Sequence, residues 1–116
     1  MTQTSCLFCR MARREINADI LAQTEGFFAV RDINPQAPTH LLIIPTEHIS
    51  TLADATEHHT TLLGQALQFA NHLAREERLL PEGYRVVMNC GPQAGQSVFH
   101  LHFHLLGGRV MRWPPG

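Results

Sequence analysis

Apolar and polar positions alternate with two different periods along the 116-residue chain. Over residues 6–15, Leu7, Phe8 and Met11 recur on one side of a helical wheel and Arg10, Arg13 and Arg14 on the other, which predicts a short amphipathic helix. Asn17-Ala18-Asp19 ends it. Ile20-Leu21-Ala22 and Phe27-Phe28-Ala29-Val30 read as two strands joined across a Glu25-Gly26 turn. Asn34-Pro35-Gln36-Ala37-Pro38 is a loop, because two prolines cannot donate to a ladder and push their predecessors toward extended geometry. His40-Leu41-Leu42-Ile43-Ile44-Pro45 is apolar on both faces, as a central strand would be. Residues 56–77 carry Leu63, Ala66, Leu67, Ala70, Leu73 and Ala74 at helical spacing and predict a long helix packed on the sheet. Residues 84–89 form a fourth strand, and the loop Gly91-Pro92-Gln93-Ala94-Gly95 leads into a fifth over 97–106. Trp113-Pro114-Pro115-Gly116 is an extended tail. The pattern predicts one α+β domain over residues 1–116, a mostly antiparallel five-stranded sheet with helices on one face.

The fifth strand carries the chemistry. In Ser97-Val98-Phe99-His100-Leu101-His102-Phe103-His104-Leu105-Leu106, a period of two places His100, His102 and His104 on one face and Leu101, Phe103 and Leu105 on the other. Same-face residues lie about 6.5–7 Å apart along a strand, so three imidazoles form a row on a rigid element. Such a row can ligate zinc with a position left for water, or supply a neutral imidazole nucleophile for phosphorus with neighbours that orient it. It can also be a polar face turned to solvent. Gly95-Gln96-Ser97 places a flexible backbone, an amide and a hydroxyl beside the first imidazole, and such donors suit a phosphate oxygen better than a metal. Nucleophilic phosphorus chemistry is therefore favoured.

Composition narrows the partners. A formal net charge of -1 argues against a nucleic-acid polymer or an anionic membrane. No secretory signal or membrane-length apolar run is visible, and Cys6, Cys9 and Cys90 do not make a disulfide framework, so a cytoplasmic location is expected.

His100-Leu101-His102-Phe103-His104-Leu105-Leu106 resembles the H-x-H-x-H signature of the histidine triad (HIT) superfamily. Asp32-Ile33, Pro35-Gln36-Ala37-Pro38-Thr39-His40, Ile44-Pro45, His48-Ile49, Gly95-Gln96-Ser97 and Trp113-Pro114-Pro115-Gly116 resemble its Hint branch. The likeness spans essentially the whole chain. It implies a HIT-like fold and a homodimer whose two sheets join into one. It also implies purine nucleoside phosphoramidase activity, the hydrolysis of adenosine 5'-phosphoramidates and acyl-adenylates to AMP through a covalent nucleotidyl-histidine, with no catalytic metal. By this resemblance His102 is the nucleophile, His104 donates to a phosphate oxygen, His40 supports the cluster and His100 holds the segment in place. Ser97, with Gly95, Gln96 and Val98, lies near the phosphate or leaving group. Asp32 accepts from the ribose hydroxyls, or else simply initiates the turn before Asn34-Pro35. Leu7, Phe8, Met11, Ile33 and Leu42 line the purine pocket, Asn89 sits near the phosphate, and Trp113 reaches the partner subunit's site. A dinucleoside polyphosphate hydrolase of the Fhit branch is the nearest enzymatic rival, although that branch lacks the Trp-Pro-Pro-Gly ending. A nucleotide-binding regulatory dimer with incidental turnover is the rival from another class.

Cys6-Leu7-Phe8-Cys9 stands apart from this set. Its spacing suits half of a tetrahedral zinc site, and several bacterial HIT proteins that it resembles complete such a site with two histidines, here His48 and His100. Two buried cysteines at a helix start, holding no metal, are the other reading. Cys90 reads as a loop-edge residue, and His58, His59 and His72 as solvated groups on the long helix.

Overall fold

The structure is a computed structural model and describes residues 5–116. Five strands form one sheet: β1 (Ile20–Thr24), β2 (Phe27–Arg31), β3 (Thr39–Pro45), β4 (Tyr84–Val87) and β5 (Phe103–Gly107). Their order is β1-β2-β3-β5-β4, and every adjacent pair is antiparallel. A short helix, α1 (Leu7–Ala12), precedes the sheet, and a long one, α2 (Thr60–Glu76), joins β3 to β4. The β1–β2 connection is the two-residue turn expected from sequence; Gly26 takes φ +88°, a region costly for any residue with a Cβ.

The sheet is covered on both sides. Phe27 and Ala29 of β2, Leu41 and Ile43 of β3, and Leu101, Phe103 and Leu105 face α2 and pack with Ala66, Phe69, Ala70, Leu73 and Ala74. On the opposite face Phe28, Val30 and Ile44 pack with Phe8 of α1. The expectation of helices on one face is thus corrected: the alternation in Phe27-Phe28-Ala29-Val30 is apolar on both faces, and each face needs a cover. On α2, Phe69 rather than Leu67 enters the core; Leu67 is 51% exposed. Three alanines on the buried stripe of α2 let it lie close to the sheet.

Element limits differ from the sequence reading in one way that matters. Regular pairing of β5 starts only at Phe103, opposite Ile43, so His100 and His102 precede the strand. The reason lies in the neighbour: the N–H of Leu101 donates to the Ile49 carbonyl (2.6 Å) instead of to β3. The alternation nevertheless survives, because Leu101 still points into the α2-side core while His102 and His104 face the α1 side.

Candidate active site

Backbone geometry fixes the state of each histidine. Nδ1 of His102 lies 2.7 Å from the carbonyl oxygen of His100. A carbonyl only accepts, so Nδ1 carries the proton and Nε2 of the neutral ring presents its lone pair. Burial pushes the His102 pKa down, opposed by that carbonyl and by Asp32, which favours the neutral form a nucleophile requires.

The second imidazole is set by a chain of donors. The Gln36 backbone N–H donates to Nδ1 of His40 (3.0 Å), so the neutral His40 ring holds its proton on Nε2. Nε2–H then donates to Nδ1 of His104 at 2.9 Å, which leaves His104 with Nε2–H as an outward donor. Register explains the meeting: Leu42 pairs with His104, so His40, two residues away on the same face of β3, lies diagonally across from it. Burial pushes the His40 pKa down, opposed by the Asp32 carboxylate 3.4 Å from its Nε2. Burial, reinforced by His102 and His40, pushes His104 down to about 4. His102 and His104 rings stand 5.1 Å apart. Asp32, His40 and His104 are close enough to suggest a ligand set, but the inward nitrogen of His40 carries a proton, and the three form a hydrogen-bonded relay.

A second cluster adjoins the first. Cys6, Cys9, His48 and His100 bring one ligand atom each within 4.8 Å of all the others. The Cys6 sulfur lies 3.3 Å and the Cys9 sulfur 3.6 Å from Nδ1 of His100; Nδ1 of His48 lies 3.2 Å from both the Cys9 sulfur and Nδ1 of His100. A tetrahedral zinc with its usual bond lengths separates two nitrogens by about 3.3 Å and a sulfur and a nitrogen by about 3.5 Å. Nε2–H of His100 donates to the Pro45 carbonyl (2.7 Å), which leaves Nδ1 bare and aimed at the sulfurs. Burial pushes His100 down to about 4, again the unprotonated form that a metal needs. The residues fit a metal of zinc type. The other reading, two cysteines merely buried, does not by itself account for the bare His100 nitrogen turned on them.

The loop before the histidines is built by Gln96. Its amide Nε2–H2 donates to the carbonyls of Ser50 (2.8 Å) and Val98 (3.0 Å), and its Oε1 accepts from the Gly91 N–H (2.9 Å). The amide expected near a phosphate is therefore occupied in bracing the loop, while Ser97 beside it is exposed. Gly95 takes φ +95° to close the turn. Gln96→Ala removes three bonds from a buried position and should cost about 2 kcal/mol of stability, read as a lower thermal midpoint with the site residues still present. An unchanged midpoint would show that the brace carries nothing.

The other expected residues are placed as follows. Phe8 is buried and meets the rings of His100 and His102 edge-on, at 5.7 and 5.2 Å, so it is a wall beneath the histidines. Met11, Leu42 and Val98 are half-buried around it. Leu7 and Ile33 are exposed, and Asn89 is half-buried just beyond β4. Oδ1 of Asp32 accepts from the Asn34 N–H (2.8 Å), the turn-initiating geometry, with Oδ2 facing His40. His58 and His72 are exposed as expected, but His59 is half-buried: it accepts from the Thr56 N–H and pairs with Glu47 at 2.9 Å. Sequence reasoning missed the Pro45 carbonyl, the Gln36 N–H and Ser50, whose hydroxyl lies 3.2 Å from Nε2 of His48. Backbone groups leave no residue-type signal to read.

Comparison with known proteins identifies the domain and the fold. A model of the HIT domain matches residues 13–111. The purine nucleoside phosphoramidase of Escherichia coli K12 is 46% identical over 105 residues, covering 90% of this chain and 88% of that protein. A 14 kDa zinc-binding protein of Zea mays is 49% identical over 112 residues, covering 95% and 87%. The crystal structure of a HIT family hydrolase from Legionella pneumophila Philadelphia 1 superposes with a TM-score of 0.94 at 50% identity, covering 97% of this chain and all of that one.

Proposed function

This chain belongs to the HIT-domain family, and on that premise we propose that it is a nucleotide hydrolase cleaving purine nucleoside phosphoramidates to the nucleoside monophosphate. One observation carries the reading: His102 holds its proton on Nδ1 against the His100 carbonyl, which turns Nε2 into a nucleophile. Nε2 attacks the α-phosphorus, the phosphorus–nitrogen bond breaks, and its electron pair leaves with the amine, which takes up a proton. Water then attacks the nucleotidyl-imidazole, releases AMP and restores the ring. Nε2–H of His104, held by the relay from Gln36 through His40, donates to a phosphate oxygen as charge builds there. Ser97 and the backbone N–H groups of Ser97 and Val98 lie on the phosphate side, Asn89 with them, while the N–H groups of Gly95 and Gln96 close the turn onto the Pro92 and Gly91 carbonyls. Asp32 accepts from the ribose, and Leu7, Phe8, Met11, Ile33 and Leu42 receive the purine. Acyl-adenylates fit the same attack with a carboxylate as leaving group.

Cys6, Cys9, His48 and His100 hold a structural zinc in this reading, supported by the ligand spacing and by the zinc-binding relative. When bound, it supplies a fixed joint between α1 and the histidine segment, and catalysis draws on imidazoles alone. Tyr84–Val87 is an edge strand, and we place the homodimer there, two sheets continuing across paired β4 edges. The guanidinium of Arg85 on that strand donates to the Arg112 carbonyl (3.0 Å) and stands 6.0 Å from the ring centre of Trp113, which is 81% exposed. That tail is set to reach the partner's site. No described helix is long and apolar enough to cross a membrane.

The test is turnover of adenosine 5'-phosphoramidate as a function of pH. An unperturbed imidazole loses its proton near pH 6.5, whereas His104 is held down to about 4 and His102 is lowered with it. Protonation removes the neutral forms, so kcat/KM should stay level as pH falls through 6.5 and drop only at lower pH. Fold stability follows the same sign: the unfolded chain takes up protons first, so stability is full above about pH 6.5 and lost as pH falls toward the folded values. No turnover at any pH would sink the function; an acid limb at 6.5 or above would sink the buried neutral relay.

A further inference from the structure

The thiolate–imidazole cluster and the nucleophile share a residue. His100 turns Nδ1 to the sulfurs of Cys6 and Cys9, and its carbonyl fixes the His102 tautomer at 2.7 Å. A second link runs through Phe8, which sits in sequence between the two cysteines and touches the rings of both His100 and His102. Helix α1, which presents Phe8, is only six residues long with two of them buried. A helix that short does not hold itself together in water, so its position depends on the Phe8 contact and on whatever ties Cys6 and Cys9 to the sheet. A cavity of about 390 Å³, lined by Ser5, Cys6, Leu7, His48, Ser97 and Phe99 among others, brings Cys6 within reach of small molecules.

We propose that the Cys6–Cys9 pair is a redox-sensitive clamp on the nucleophile: reduced and metal-loaded it aligns His102, and oxidised to a disulfide it releases the metal and stops turnover. This rests on the assignment of His102 as nucleophile. Chemically, the oxidant is hydrogen peroxide. The Cys6 thiolate attacks one peroxide oxygen, breaking the O–O bond to give a sulfenic acid and hydroxide. The Cys9 thiolate attacks that sulfur, forming the S–S bond and expelling a second hydroxide. Two electrons pass from the sulfurs to the peroxide, two protons from solvent make both hydroxides water, and the divalent ion departs having lost half of its ligands. The two sulfurs already lie within 4.8 Å of each other at the start of one helix, so closure asks only for rotation of the two side chains away from His48 and His100. With the ion and the thiolates gone, α1 and Phe8 lose their tie to the sheet and the His100 ring keeps its bond to Pro45 but not its hold at Nδ1, so the carbonyl that fixes His102 is held less firmly.

The experiment uses the full chain with Cys90→Ser, which removes the exposed third thiol, loaded with zinc and titrated with hydrogen peroxide. Three readouts are followed: zinc released to a chromogenic chelator, the ring nitrogen shifts of His102, and kcat against KM for adenosine 5'-phosphoramidate. We expect zinc release to track loss of the two thiols, and His102 to pass from one Nδ1–H tautomer to a mixture. kcat should fall about tenfold or more, the scale of a misaligned attacking group, with KM little changed. Dithiothreitol and zinc should reverse all three. A Cys9→Ser chain should show the mixed tautomer before any peroxide, form no Cys6–Cys9 disulfide, and show no further change in tautomer when peroxide is added. Zinc loss and disulfide formation with an unmoved His102 tautomer and unchanged kcat would overturn the proposal, as would thiols that peroxide never pairs. A reduced, zinc-loaded chain with no turnover would instead count against the hydrolase assignment, while the metal and tautomer readouts still decide the clamp.

Discussion

His102→Ala should abolish hydrolysis of adenosine 5'-phosphoramidate, with kcat falling by about four orders of magnitude or more, the scale seen when a covalent nucleophile is removed. The size follows from the role. A nucleophile divides one displacement at phosphorus into two, and without it water must attack directly. The fold should survive, because His102 makes one side-chain bond, to the His100 carbonyl, and losing it costs about 1–2 kcal/mol. Circular dichroism should therefore match the wild type while product formation disappears. AMP should still bind, since the proposed ribose and purine contacts lie elsewhere. Added imidazole should recover part of the rate, because the vacated space lies beside Phe8 and the His104 ring. Retention of turnover within about tenfold of wild type would remove His102 from the nucleophile's position and leave a nucleotide-binding module as the better description.

The sequence made the sheet legible because hydrophobic period and turn chemistry agree along it. Phe27-Phe28-Ala29-Val30 and His40–Pro45 are apolar on both faces and prove to be adjacent inner strands. What escaped was decided by tertiary partners. Nothing in the residues of α1 says which face it covers; only the contact of Phe8 with Phe28, Val30 and Ile44 decides it. The start of β5 was misplaced because alternation records where side chains point, not which N–H finds which carbonyl, and Leu101 bonds to Ile49 instead of to β3. At the site, residue types foretold which groups could meet, and Cys6, Cys9, His48 and His100 do meet. Tautomers were beyond reach, since Pro45, His100 and Gln36 act there through their backbones. The inference that Gln96 offers its amide to a ligand failed for a related reason: a buried amide takes the nearest unsatisfied carbonyls, and the loop supplies two.

The relay makes a prediction that single substitutions cannot test. His104→Ala removes the donor expected to meet charge developing on phosphate, and loss of one such donor costs about 10²–10³ in kcat. His40 touches no proposed ligand atom; it acts by donating from Nε2 to Nδ1 of His104, so that the outward Nε2 keeps its proton. His40→Phe retains an aromatic ring at a buried site but ends that donation, and the His104 ring can then hold its proton on either nitrogen. It should lower kcat by about tenfold, with little change in KM. In the double variant the His40 effect should vanish, because no ring remains to be oriented. The coupling would then equal the whole His40 term. Independent, multiplying effects would show that His40 reaches the substrate by another route, for which the Asp32 carboxylate at 3.4 Å is the candidate. A second cycle between His40 and Asp32 would separate the two. If Asp32 serves the ribose, Asp32→Asn raises KM in every background, whereas a carboxylate that acts only through His40 loses its effect once His40 is gone.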